Sequence, residues 1–244
     1  MTNPIPNAYA KPNTIRTPQR VLVIGGGPTG LVSLRNLIER AKFKHVELWE
    51  RRDDVGGVWY LDEPQPGKGS YLAQKTIKPK WPSPAYKGLI GNVLPEFLSF
   101  SEFPFPEPPS TPNQPFPSLV ETHGYLRAFA EPYLMTGKIK LNREVVRVVE
   151  CEGGRWKVTS RDWNDNHCPG REVEEFWDAV VVAVGWYDHP VWPETEGIEE
   201  LKTRGLAKHA KWYRGPEGYD GKASLPFVNV YKYVITRKSS RNRS

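Results

Sequence analysis

The sequence predicts an α/β fold: a parallel sheet with a crossover helix and a small β-hairpin or meander layer. Three observations predict it. Two short runs, residues 21–24 and 179–184, are wholly apolar, the pattern of parallel strands buried on both faces. The first run breaks at Gly25-Gly26-Gly27-Pro28-Thr29-Gly30 and then changes to helical periodicity. A Gly153-Gly154 pair separates two further strand-like runs, which is a hairpin signal.

Arg20 leads into Val21-Leu22-Val23-Ile24, and Leu31, Leu34, Leu37 and Ile38 then recur at helical spacing to about Ala41. Residues 46–50 give the next strand. Strand, glycine turn, helix and strand thus fit within about thirty residues, the size of a βαβ unit. Residues 62–118 hold 13 of the 24 prolines. Proline removes donors and fixes φ, so regular structure is not expected there. The aromatic residues of that stretch (Tyr71, Trp81, Tyr86, Phe97, Phe100, Phe103 and Phe105) predict packing on other elements. Residues 119–137 read as a helix with Leu119, Leu126, Phe129 and Leu134 inward. Residues 145–150 and 156–160 form the hairpin, a polar loop runs to Arg171, and residues 179–184 return as a strand ending at Gly185.

A chain of 244 residues suffices for one large domain or two small ones. Net charge is +6, and the last 24 residues carry six Lys+Arg and no acid, so the first 220 balance at 28 of each sign. A nucleic-acid binder would spread its basic residues over a folded face, so no nucleic-acid partner is expected. The two cysteines, Cys151 and Cys168, form neither a CxxC pair nor a disulfide framework, and a reducing, cytoplasmic setting is expected. Residues 1–19 are polar and proline-rich, without the apolar core of a secretory signal, and read as a disordered arm. The longest apolar run is too short to span a bilayer.

The strongest chemical motif is the GxGxxG at Gly25, Gly27 and Gly30. The first glycine turns the chain off the strand, the second lets backbone approach a pyrophosphate, and the third lets helix and strand pack closely. The helix N-terminus then offers N–H groups and positive dipole to the phosphate. Glu50 follows Gly30 by twenty residues, where a carboxylate accepts from ribose hydroxyls. This is a Rossmann-like FAD/NAD(P)-binding pattern. Gly56-Gly57-Val58-Trp59 follows Glu50 closely, and two glycines there suggest backbone passing close to a ligand. His167-Cys168 lacks the three or four ligands a metal needs, and Ser33 lies in no nucleophile elbow, so neither metal nor hydrolytic chemistry is expected.

From about Arg20 to Lys222 the chain resembles the flavin-containing monooxygenases, including fungal members. The resemblance rests on the GxGxxG with Glu50 and on the GGxW at 56–59. It rests also on Ser83-Pro84-Ala85-Tyr86-Lys87-Gly88-Leu89 leading to Asn92, on Phe103-Pro104-Phe105-Pro106, and on Ala183-Val184-Gly185. The most diagnostic segment is Gly205-Leu206-Ala207-Lys208-His209-Ala210-Lys211-Trp212-Tyr213-Arg214, which fits FxGxxxHxxx(F/Y) with Thr203 in place of Phe. Val184 likewise replaces the Thr of an ATG element.

The resemblance implies an enzyme that binds FAD, reduces it with NADPH, and passes one oxygen of O₂ to a soft nucleophile, N or S, through a flavin hydroperoxide. Baeyer–Villiger oxygenation of a carbonyl is the related chemistry. It implies FAD contacts from Gly25, Gly27, Pro28, Thr29, Gly30, Glu50, Gly57, Val58, Trp59, Val148, Ala183 and Gly185, with Trp59 packed on the cofactor loop. Asn92 would sit by the flavin ring as the catalytic residue. Gly205, His209, Tyr213 and Arg214 would form the family motif, with His209 in the linker toward an NADPH domain. That domain needs a second glycine fingerprint, and none occurs in the 244 residues. Residues 20–222 are therefore expected to be the FAD-binding domain. Residues 223–244 are expected to be a non-homologous, disordered basic tail of an incomplete form. A FAD-binding module without turnover is the alternative reading. A disulfide reductase is disfavoured by the missing CxxC. The substrate is a small molecule, and the sequence leaves its identity and the oligomeric state open.

Overall fold

The computed structural model describes residues 17–62, 81–106, 114–165, 167–186 and 188–219, together with the backbone of Lys222–Val228 and Lys232–Lys238. Its centre is a four-stranded parallel sheet. The strands are β1 (Arg20–Ile24), β2 (His45–Trp49), β3 (Ile139–Lys140) and β7 (Ala179–Val182), in the order β3-β2-β1-β7. Helix α1 (Pro28–Glu39) makes the crossover between β1 and β2. Strands β4 (Arg143–Cys151), β5 (Arg155–Asp162) and β6 (Arg171–Trp177) form an antiparallel sheet in that order.

The apolar runs are explained by what lies on either side. Side chains alternate across a strand, and here both faces are covered. Val21, Val23, Val46 and Leu48 join Leu31 and Leu34 of α1 and Tyr125, Leu126 and Phe129 of α3 (Leu119–Met135) in one core. Leu22, Ile24 and Trp49 face the other way, against Val158 and Trp177 of the antiparallel sheet. Trp49 and Trp177 meet edge to face with centroids 5.5 Å apart, a favoured aromatic geometry.

Helix α3 starts where the sequence places it. Ser118 accepts from the Glu121 N–H at 3.3 Å, and the Glu121 carboxylate accepts from the Ser118 N–H at 2.8 Å, a complete capping box. Leu119, Leu126 and Phe129 are buried, and Leu134 packs at the margin of the same core. Phe100 and Phe103 of the proline-rich stretch pack tilted or edge-on against Tyr125 and Phe129, and Phe105 stacks on Tyr125. Phe97, by contrast, is exposed, and Tyr71 lies outside the described residues. The one helix described within that stretch is the single turn α2 (Pro95–Leu98).

Several expectations are corrected. Strand β7 ends at Val182, and Val182 and Val184 are exposed. Strand β6 follows the polar loop in residues to which the sequence reading assigns no element, and its charges pair across the ladder: Glu172 with Arg161 at 2.7 Å and Glu174 with Lys157 at 3.1 Å. The N-terminal arm does not extend to residue 19. The Gln19 N–H donates to Asp178 at 2.9 Å and its carbonyl accepts from His45 at 3.0 Å. The basic tail is not wholly without structure. The backbones of β9 (Lys222–Val228) and β10 (Lys232–Lys238) pair antiparallel, and β10 pairs with β8 (Ala207–His209). Among the described residues no helix is long and apolar enough to cross a membrane.

Replacing Ser118 by Ala removes one half of the α3 capping box. The variant is expected to lose about 1 kcal/mol of stability, read as a lower urea midpoint at unchanged slope. An unchanged midpoint would show that the cap does not stabilise this helix.

Candidate cofactor-binding site

The site is built at the carboxyl end of β1. Gly25 has φ +105°, and a Cβ there would sit 2.5 Å from the Ala183 carbonyl oxygen, so the turn requires glycine. A Cβ on Gly30 would overlap the Gly25 carbonyl oxygen, which is why α1 can pack so close to the strand. Gly27 differs. Among the described residues, its own chain neighbours aside, the one atom within 4 Å of a Cβ placed there is Gly57 Cα, at 3.6 Å. Gly27 is the N-cap of α1, Pro28 follows as its first residue, and no side chain caps the helix. Its first-turn N–H groups and dipole are therefore presented beside an open glycine surface.

The second glycine pair closes over the first. The Gly56 N–H donates to the Gly26 carbonyl at 2.9 Å. A Cβ on Gly57, where φ is +58°, would lie 2.9 Å from Gly27 Cα. Glu50 is 5% exposed. One carboxylate oxygen accepts from the Gly26 N–H at 2.6 Å and the other from the Arg52 N–H at 2.9 Å. A carboxylate accepts at about four positions, so both oxygens keep capacity for hydroxyl donors. The residues present thus fit a dinucleotide: a diphosphate would lie at the α1 N-terminus against the bare glycine backbones, and a ribose at Glu50.

Not all expected residues converge here. Ala183 does, through its carbonyl against Gly25, and Gly185 follows with φ +73° and open space at its α-carbon. Thr29 lies in the first turn of α1, where its carbonyl accepts from Ser33 at 2.7 Å. Val58 lies in the 3₁₀ turn Gly57–Trp59, and Trp59 packs on the core between α1 and α3. Val148 pairs with Val158 and packs toward Trp49 and Trp177. Asn92 is exposed in a bend, and among the described contacts none joins it to the glycine turns.

The family-motif residues form a clasp. Gly205 follows α4 (Ile198–Thr203) with φ +66°. The Tyr213 ring meets Tyr86 edge to face at 4.8 Å. Arg214 donates to the Ser83 carbonyl at 3.0 Å and to its own turn at Lys211 and Tyr213. The His209 imidazole Nδ1 accepts from the Lys211 N–H at 3.0 Å.

Sequence reasoning missed the charges beneath this clasp. Asp188 takes both guanidinium nitrogens of Arg51, at 2.8 and 3.1 Å. It also faces Lys211, whose ammonium donates to the Asp188 carbonyl. The Arg51 hydrogen bond holds the Asp188 carboxyl below its usual range, and burial pushes the Lys211 ammonium down. Arg52 donates to the carbonyls of Trp81 and Gly57, at 2.9 and 3.0 Å. The adjacent Arg51-Arg52 pair directly after Glu50 was the available signal.

The family model described as Flavin-binding monooxygenase-like matches residues 18–228. The chain belongs to that family. Flavin-containing monooxygenase FMO GS-OX-like 9 of Arabidopsis thaliana is 33% identical over 231 residues, covering 91% of this chain and 46% of that relative. The N-oxide-forming dimethylaniline monooxygenase 2 of Macaca mulatta is 29% identical, over 85% of this chain and 35% of the relative. The solved S-allyl-L-cysteine S-oxygenase of Allium sativum superposes with TM-score 0.64 at 31% identity, over 83% of this chain and 44% of that structure. The fold is accordingly the Rossmann-like fold of the flavin monooxygenases, and relatives in the family are enzymes. The chain spans less than half the length of these relatives. The family match also runs six residues past Lys222, where the sequence reading ends the resemblance.

Two outcomes follow from the geometry. Gly30→Ala is expected to lose about 3 kcal/mol or more, because backbone must move, while Gly27→Ala stays within about 1 kcal/mol; equal losses in chemical denaturation would contradict the assignment. The second outcome concerns His209. Burial holds its pKa below 6.5, so the native state prefers the neutral ring. That contribution is complete above the free-imidazole value and is lost as pH falls through the lowered one. An NMR titration of His209 is expected to give a midpoint below 6.5, with the Lys211 amide shifting in step. A midpoint above that value would show that the Lys211 N–H does not hold Nδ1 unprotonated.

Proposed function

We propose that this chain binds FAD and carries the flavin half of an NADPH-dependent monooxygenase that oxygenates a soft nitrogen or sulfur atom. The observation that carries the reading is the close approach of the bare Gly27 and Gly57 backbones at the uncapped N-terminus of α1, with Glu50 buried beside them. In this reading the first-turn N–H groups of α1 hold the diphosphate, and Glu50 accepts from the ribose hydroxyls. Glu50 also fixes the turn itself, through the Gly26 N–H.

When bound, FAD would supply the redox chemistry, taking two electrons from NADPH and passing them to O₂, with one oxygen atom entering the substrate and the other leaving as water. The chain's own contribution is binding and orientation. Arg51, Asp188 and Lys211 fix the segment after β7 against the turn after β2. Arg214 and Tyr213 fix the Trp81 to Tyr86 stretch. Support for nitrogen or sulfur as the acceptor comes from the names of the relatives, an S-oxygenase and an N-oxide-forming enzyme. Asn92 remains the proposed residue beside the flavin ring. The second reading is a FAD-binding module without turnover.

The visible spectrum of the purified chain, before and after anaerobic NADPH, separates these readings. A flavin spectrum that bleaches supports a hydride path within this chain. A flavin spectrum unmoved by NADPH supports the binding module. A folded but colourless protein that takes up no added FAD would sink both. Gly27→Leu, which puts a bulky side chain at the bare N-terminus of α1, is expected to purify without flavin, and a yellow variant would place the diphosphate elsewhere.

A further inference from the structure

The two glycine turns that form the cradle have no side chains with which to hold each other. Among the described residues, one backbone hydrogen bond joins them directly, from the Gly56 N–H to the Gly26 carbonyl, and Arg52 and Glu50 brace the turns from the β2 side. The segment carrying Gly56 and Gly57 is gripped from outside by α3. His123 Nε2 lies 3.0 Å from the Val55 carbonyl oxygen. A carbonyl only accepts, so Nε2 carries the hydrogen and donates. The ring also closes directly on Gly56. A Cβ there would lie 2.8 Å from His123 Cδ2, so ring and backbone are already near contact. Asp54 lies 3.5 Å from His123 Nε2 and is held on its other oxygen by Arg127 at 2.5 Å. Tyr60 meets the far side of the ring edge to face, centroids 5.9 Å apart, and donates its hydroxyl to Asp53 at 2.7 Å.

His123 and Arg127 are four residues apart, on one edge of α3, beside the buried stripe of Thr122, Leu126 and Ala130. They do not face the cradle. They face the loop that forms its upper wall. We infer that His123 is a positioning residue for the cofactor cradle: it sets the height of Gly57 above Gly27 by holding Val55 and Gly56 against α3. The inference rests on the reading of that cradle as the FAD diphosphate site, and it assigns a role to a residue that touches no cofactor.

Three variants of the full chain separate ring packing from hydrogen bonding. His123→Phe keeps a ring against Gly56 and removes the donor. His123→Gln keeps an N–H donor of similar reach. His123→Ala removes both. The first readout is amide hydrogen exchange of the flavin-free protein. In His123→Phe and His123→Ala, exchange at the Gly56 and Gly26 amides is expected to rise about tenfold, while Val21 to Ile24 in β1 stay as protected as in the parent. His123→Gln is expected to restore protection to within about threefold. The second readout is FAD affinity by fluorescence titration, expected to weaken about tenfold in His123→Phe and to recover in His123→Gln. Unchanged exchange at Gly56 and Gly26 in both His123→Phe and His123→Ala would overturn the inference. So would a uniform rise that includes β1, since that is a loss of general stability. Should the parent take up no FAD while the exchange pattern holds, the FAD reading fails and the positioning of Gly56 by His123 stands.

Discussion

Everything at the site depends on how closely backbone can approach backbone at the end of β1. A side chain on residue 25 would strike the carbonyl of Ala183, and one on residue 30 would strike the carbonyl of Gly25. The first contact joins β1 to the strand segment beyond β7. The second joins β1 to α1. Because both are made without side chains, the N-terminus of α1 is drawn against the sheet and its first N–H groups reach the carboxyl edge, where dinucleotide phosphates bind in doubly wound folds. Gly27 then serves a different purpose from its neighbours. It relieves no clash within the fold and leaves a surface bare, where the proposed diphosphate would approach.

That geometry would have no fixed frame unless the sheet were covered on both sides. The alternate residues of β1 divide between two cores, Val21 and Val23 toward α1 and α3, Leu22 and Ile24 toward the antiparallel sheet. A slip of one residue would exchange the two sets. The two surroundings differ in kind, phenylalanine and leucine on one side and two tryptophans meeting edge to face on the other, so each set has its own shape to fill. Register in β1 and β2 is thereby fixed, and with it the positions of Gly25 and Glu50 at adjacent strand ends.

The legible part of this structure is the part whose cause is local. The turn at 25–30 states its own geometry, since each glycine answers to an atom in the turn, the next strand or the facing loop. The capping box at Ser118 and Glu121 is likewise complete within four residues. Strand β6 was not legible, because its glutamates look like a solvated loop until Arg143, Arg161 and Lys157 are known to lie beside them. Asp188 and Lys211 were hidden for the same reason, separated from Arg51 by well over a hundred residues. The backbone pairing of β9 and β10 ran against a compositional argument, since a net basic segment can still supply strands. Asn92 shows the opposite limit: a family resemblance assigned it a place, and the contacts among the described residues do not carry it there.

A cradle of glycines transfers its mechanical problem to its surroundings. The bare surfaces of Gly27 and Gly57 let a diphosphate approach, yet nothing on either residue can resist their separation, and glycine is the residue most prone to move. The restraint therefore has to come from side chains attached elsewhere. On one flank Arg52 grips the Gly57 carbonyl while Arg51, Asp188 and Lys211 tie the following strand end to the family motif. On the other, His123 and Arg127 grip Asp54 and Val55 from α3. The ion pairs among these groups are partly exposed, and exposed pairs add little to stability, so their value lies in direction rather than in strength. Two remote segments, α3 and the motif at 205–214, thus converge on the loop at 51–57, and the distance between two glycine backbones becomes a property of the whole domain.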